Sequence, residues 1–255
     1  MNDEREMTLE EHLEELRRRL IISIAAVLVA TLALFFISDT LLQILLAPSG
    51  GLQLKAFSLT DGFLIKFRIA LYGGLVLAFP VWAYHIIRYI GPGLLESERR
   101  VIFPALAFAL GLFIVGILFG YTMLSGMIHA LLQFFPKEVD LLPSADDYIS
   151  LVLFFLLAAG FAFQLPTVII VAVQLRLLSS TFLRKQRRYA YFILFAIAEI
   201  ITPVSDPIVA PAIVMVPLVL LFELSIFLAR RIEAKRQKEE ENALVPSGAS
   251  LPGGH

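Results

Sequence analysis

The sequence predicts an all-α integral membrane protein with six transmembrane helices, both termini cytoplasmic, and short fifth and sixth helices. Three observations carry this expectation. Of 255 residues, 58% are hydrophobic and only 17% charged, with a mean hydropathy of +0.82; soluble domains run near one-quarter charged. Uncharged runs recur at lengths close to the roughly 20 residues that a helix needs to cross a bilayer. Finally, the basic residues are concentrated in alternate connections rather than spread along the chain.

The uncharged runs place the spans at 20–38, 69–87, within 101–136, within 148–175, at 189–202 and at 208–229. The second is entered a turn early, through Lys66 and Arg68, which are expected to snorkel at the outer membrane edge. The third is long enough to tilt or to project beyond the bilayer. The fifth is short, since even the 16 residues from Arg187 to Thr202 rise only about 24 Å at 1.5 Å each. Pro203, Pro207 and Pro211 demand a tight, non-helical connection between the last two. Three regions follow: an amphipathic N-terminal helix at 1–19, a membrane domain at 20–230, and a charged, then Pro- and Gly-rich tail at 231–255 that is expected to be disordered.

Charge fixes the orientation. All but four of the 21 Lys and Arg residues fall before span one, between spans two and three, between spans four and five, or after span six. The exceptions are Lys55, Lys66, Arg68 and Lys137. The positive-inside rule makes the rich side cytoplasmic, and both termini with it. A net charge of −1 disfavours nucleic acid as a partner. The absence of cysteine excludes disulfides, thiolate metal sites and thiol catalysis. The four histidines have no metal-ligand spacing, and no hydrolase, metalloprotease or P-loop motif occurs. No enzymatic activity and no cofactor are expected.

Several polar residues need a reason. Thr8 and Glu11 form a capping box that starts a helix, and Leu9, Leu13, Leu16 and Leu20 make one apolar stripe on it. This helix is expected to lie along the membrane surface before turning in as span one. Its Glu15 and Arg19 are spaced as an ordinary i,i+4 pair. In the first cytoplasmic loop, Gly91-Pro92-Gly93 breaks the helix, and Glu96 and Glu98 suit the first turn of the next one. Carboxylates on these two neighbouring segments have a second use, as bidentate acceptors for guanidinium, a site that would tell Arg from Lys. Within the spans, Gln164 sits mid-way along the fourth. Glu199 and Thr202 share a face of the fifth, where a carboxyl marks either a functional contact or the aqueous edge. A small-molecule transporter with Gln164, Glu199 and Glu223 lining its path is the alternative reading, although no internal repeat supports it.

These features together resemble the TatC family of twin-arginine protein translocases. The motifs that carry the resemblance are His12-Leu13-x-Glu15-Leu16-Arg17-x-Arg19-Leu20, Ala47-Pro48, Phe79-Pro80, and Tyr89-Ile90-x-Pro92 with Glu98-Arg99-Arg100. Further along come Phe163-Gln164-Leu165-Pro166, Thr202-Pro203 with Asp206, and Pro217 with Phe222-Glu223. The resemblance implies a receptor subunit that binds twin-arginine signal peptides of folded cargo. It would recruit single-span TatA/TatB-type partners in an oligomeric complex, in the lipid of the bacterial inner membrane, with transport driven by the proton-motive force. It assigns signal-peptide binding to Glu15, Leu16, Arg17, Tyr89 and Glu98, and roles on the periplasmic side to Pro48 and Asp206. Gln164 stands where the family often has Glu, His85 where Gln is usual, and Tyr89 where Phe is common. The polar residue that the family carries early in span six is apolar here, so Glu199 with Thr202 is expected to hydrogen-bond a partner's transmembrane helix instead.

Overall fold

The structure, a computed structural model, describes residues 9–90, 102–133, 136, 142–201 and 209–244. Among the described residues every regular element is helical, with one isolated bridge in which Lys55 N donates to Pro143 O and Ala145 N to Lys55 O. In chain order the helices are α1 (Leu9–Phe35), α2 (Ser38–Leu46), a 3-10 turn (Ala47–Ser49), α3 (Asp61–Leu77), α4 (Phe79–Ile90) and α5 (Ile102–Gln133). They continue with α6 (Ala145–Ala162), α7 (Leu165–Gln174), α8 (Ser180–Lys185), α9 (Arg187–Ile201) and α10 (Val209–Leu244). Helix α1 and the α5 and α6–α7 segments are long and apolar enough to cross a membrane, and α3 with α4 makes a fourth span if the bent pair is counted as one.

Three expectations are corrected, and two spans prove to be bent. The N-terminal segment makes no turn before the first span: α1 runs unbroken for 27 residues, so Glu15 and Leu20 lie on one helix. The second span is bent by 48° between α3 and α4, because Pro80 lacks the N–H that would continue the ladder and its ring clashes with the preceding turn. The fourth span breaks similarly at Phe163 and Gln164, with Pro166 in the first turn of α7. The sixth helix is not short and the tail after residue 231 is not disordered as far as Leu244, for α10 continues through 36 residues. The reason is composition: the run from Glu233 to Ala243 is mostly strong helix formers, with opposite charges spaced i,i+4 at Lys235 and Glu239 and at Arg236 and Glu240. Among the described residues the fifth helix, α9, covers 15 residues.

The core joins two clusters. Phe79 and Ala83 of α4 lock onto Ala109 and Phe113 of α5, with the Phe79 and Phe113 rings stacked at 3.9 Å. The larger cluster runs through Ile69, Leu124, Ile149, Val152, Leu194, Leu218 and Ile226, tying α3, α5, α6, α9 and α10 together. Helices α1 and α3 approach most closely at Gly74, where a Cβ would fall 2.3 Å from Thr31 Oγ1 and 2.9 Å from its backbone N. Small residues at such crossings let helix backbones meet without side-chain interference. Large apolar side chains cover the outside: Val29 and Leu32 on α1, Phe192 and Ile200 on α9, and Leu220 on α10 are each at least 65% exposed. Such a surface suits lipid and not water.

Lys66 and Arg68 do not merely snorkel. Lys66 Nζ pairs with Asp39 at 2.8 Å, which fastens α3 to α2. Arg68 Nη1 pairs with Asp146 at 2.8 Å and also donates to Ser150 Oγ, which fastens α3 to α6.

Candidate functional site

The end of the bundle that carries the N-terminal motif is built by α1 and α4. Because α1 is unbroken, its successive turns present His12, Glu15 and Arg19 along one side to α4. There the His12 ring stacks on Tyr89, with centroids 4.5 Å apart and planes within 18°. One turn further along α1, Glu15 Oε1 accepts from Arg19 Nε at 2.9 Å and from Arg19 Nη2. Its other oxygen, Oε2, is buried and accepts no hydrogen bond. A cavity of about 290 Å³ opens beside it, lined by Glu15, Arg18, Arg19, Ile22, His85 and Arg88. Arg88 Nη1 donates to Tyr84 OH at 2.7 Å and lies over the same ring. His85 Nδ1 is buried without a partner.

The arrangement therefore holds one carboxylate with a vacant acceptor oxygen, inside a ring of cationic donors and beside an aromatic stack. Such a carboxylate can accept a further charge-assisted hydrogen bond. Of the positions implied to bind signal peptide, Glu15 and Tyr89 are brought to this corner. Leu16 and Arg17 are exposed on α1 and do not line the cavity. Glu98 lies outside the described residues, as does the Thr8 cap.

At the opposite end, Pro48 occupies the 3-10 turn that follows α2. Two tyrosines pin that helix end: Tyr121 OH donates to Ile44 O at 2.9 Å and Tyr148 OH to Leu45 O at 3.0 Å. The chain then reverses through Gly50 and Gly51, whose φ values of 65° and 88° suit glycine. Asp206 and Thr202 lie outside the described residues.

Two of the polar residues that the transporter reading needs are already engaged. Gln164, at the break between α6 and α7, donates from Nε2 to Ala109 O of α5 at 3.0 Å. Glu223 of α10 accepts from Tyr191 OH at 2.6 Å and from Arg187 Nη2, both on α9. The transporter reading is weakened accordingly, since two of its three residues serve helix–helix contacts. Glu199 differs: it is half-buried, and its Oε2 is enclosed without a hydrogen-bond partner. The Arg187–Glu223–Tyr191 cluster was not singled out as a site in the sequence, because its members are 32 and 36 positions apart and only the fold joins them.

Comparison with known proteins decides the family. A sequence model described as TatC, Sec-independent protein translocase protein, matches residues 11–217. The chain belongs to the TatC family. It is 34% identical over 236 residues to the Sec-independent protein translocase protein TatC of Carboxydothermus hydrogenoformans, covering 91% of this chain and 97% of the relative. It is 32% identical over 237 residues to TatCy of Bacillus subtilis, covering 91% and 92%. Its fold is similar to the crystal structure of a twin-arginine translocase receptor TatC in DDM, with a TM-score of 0.75, 34% identity, and coverage of 86% of this chain and 99% of that one. This TatC protein is thus a multi-pass membrane subunit of a Sec-independent, twin-arginine protein translocase, a transport component and not an enzyme.

Proposed function

We propose that this TatC protein is the signal-peptide receptor of its translocase, and that the α1–α4 corner is where the paired arginines bind. The observation that carries the reading is the His12–Tyr89 stack, which holds the N-terminal motif against the end of α4 and sets Glu15 beside the cavity. Glu15 Oε2 has no hydrogen-bond partner of its own, so it keeps acceptor capacity for a guanidinium that enters the cavity and displaces the side chains enclosing it. Leu16 and Arg17, exposed on the same helix, are then available to the flanking peptide. Glu98 supplies the second carboxylate, so that two acids meet two guanidiniums. An ammonium could pair with either acid but could not match a carboxylate fork.

The same reading sets the protein in the bacterial inner membrane as six spans, with α9 and the first half of α10 as the fifth and sixth. Its basic connections, and both termini, face the cytoplasm. Region 1–19, which includes the first turns of α1, is then cytoplasmic, 20–230 the membrane domain, and 231–255 a cytoplasmic extension. Pro48 and Asp206 shape the periplasmic side, and Gln164 braces the intramembrane interior. Glu199 on α9, together with Thr202, is the polar spot for the transmembrane helix of a TatA/TatB-type partner. A photo-crosslinker in place of His12 or Tyr89 tests the receptor site: it should capture a twin-arginine signal peptide, and one in place of Ile200 should instead capture a small single-span protein. Equal capture of signal peptide from both surfaces contradicts the assignment.

A further inference from the structure

A second pocket lies where α7 gives way to α8, and the receptor reading makes no use of it. Its volume is about 400 Å³; Leu177 and Phe182 supply an apolar wall, and Arg176, Glu233 and Arg236 supply a polar one. The apolar wall faces outward, with Leu177 73% and Phe182 49% exposed.

Arg176 has φ of +59°. It closes the end of α7, with Arg176 N donating to Val173 O at 3.1 Å and Leu177 N to Ala172 O at 2.9 Å. Glycine is the usual residue at this left-handed position, where any side chain costs backbone strain. A strained residue persists where its side chain is useful, and here that side chain is a guanidinium lining a cavity. A second guanidinium is fixed beside it, because Arg236 Nη2 donates to Gln174 O at 2.9 Å. The acid in the pocket is already committed: Glu233 accepts from Ser180 N at 2.9 Å and from Ser180 Oγ. The last turn of α8 adds Arg184 and Lys185 nearby. The pocket is net positive on one wall and apolar on the other.

Guanidinium pairs suit a phosphate group. Soluble phosphate and a lipid headgroup share that chemistry, but only the lipid has chains to lay on Leu177 and Phe182. We propose that this pocket binds the phosphate headgroup of an anionic phospholipid, of the kind that basic clefts between transmembrane helices recognise. It is a site separate from the α1–α4 corner and from the α9 face.

The test uses the full chain in detergent micelles, with lipid binding followed by native mass spectrometry and thermal stability measured alongside. Phosphatidylglycerol should bind about tenfold more tightly than phosphatidylcholine, whose phosphate offers the same oxygens but whose choline cation is repelled by the two guanidiniums. Excess inorganic phosphate should not displace it. Arg176→Gly and Arg236→Gln should each bring the preference down to about two- or threefold. Arg176→Gly should keep its lipid-free melting temperature, since glycine relieves the strain. Arg236→Gln does not touch the left-handed position at residue 176 and keeps an amide donor for Gln174 O, so it decides the matter if Arg176→Gly folds poorly. A wild-type protein with no preference for phosphatidylglycerol, or undiminished preference in Arg236→Gln, overturns the proposal. Displacement by inorganic phosphate also overturns it, in favour of a soluble ligand. The assay is indifferent to which side of the membrane the pocket faces, so its outcome is independent of the receptor reading.

Discussion

His12 and Tyr89 stack with their planes within 18° of parallel, across 77 positions of sequence. The contact joins the first turn of one helix to the last turn of another and closes one side of the Glu15 corner. An aromatic pair of this kind is worth about 0.5–1.5 kcal/mol beyond its buried area. His12→Ala and Tyr89→Ala should therefore each weaken signal-peptide binding by about 2- to 12-fold, measured by fluorescence anisotropy of a labelled peptide. Tyr89→Phe, which keeps the ring, should bind within about twofold of wild type.

Gly74 sets the distance between α1 and α3. A Cβ there meets Thr31 Oγ1 at 2.3 Å and the Thr31 backbone at 2.9–3.0 Å. Gly74→Ala should lower the melting temperature in detergent by the equivalent of about 1–3 kcal/mol. Thr31→Ala should rescue it only in part, because the backbone contacts remain.

Gln164 ties the break between α6 and α7 to α5, because its Nε2 donates to Ala109 O at 3.0 Å. Gln164→Leu, which removes the donor, should lower the melting temperature in detergent by the equivalent of about 1–2 kcal/mol. A melting temperature equal to that of wild type contradicts this role.

Glu223 couples α9 to α10 through Arg187 and Tyr191. Both ion-pair side chains retain contact with the surroundings, at 40% and 34% exposure, so the pair is worth less than a fully buried one. Glu223→Ala should cost about 1–2 kcal/mol of stability, and Glu223→Gln less, because the amide oxygen still accepts from Tyr191. Loss of the α9 anchor should also reduce capture of the single-span partner at Ile200.

How much of this was legible in the sequence differs from residue to residue. The spans near α1, α5 and α6–α7 follow from hydropathy, because each buries its own backbone hydrogen bonds and needs only apolar side chains around it. The pairing of Glu15 with Arg19 follows from i,i+4 spacing alone. The bends at Pro80 and Pro166 were present as prolines, but an apolar run shows no angle. Lys66–Asp39, Arg68–Asp146 and Glu223–Arg187 were illegible, since a single sequence says nothing about which distant charges meet. The extension of α10 was misread because its dense charge resembles a solvated tail, while the same residues are strong helix formers with favourable side-chain spacing. In the candidate site, Glu15 and Tyr89 were named from the motifs, but the roles of His12 and His85 required the fold.

The central claim is that Glu15 and Glu98 receive paired arginines, and one measurement addresses it most directly. Binding of a twin-arginine signal peptide to the purified protein in nanodiscs should exceed that of its twin-lysine version by about tenfold or more, the equivalent of one or two charge-assisted hydrogen bonds. Glu15→Ala and Glu98→Ala should each erase most of that difference. Equal binding of the two peptides, or an undiminished preference in both variants, would contradict the account.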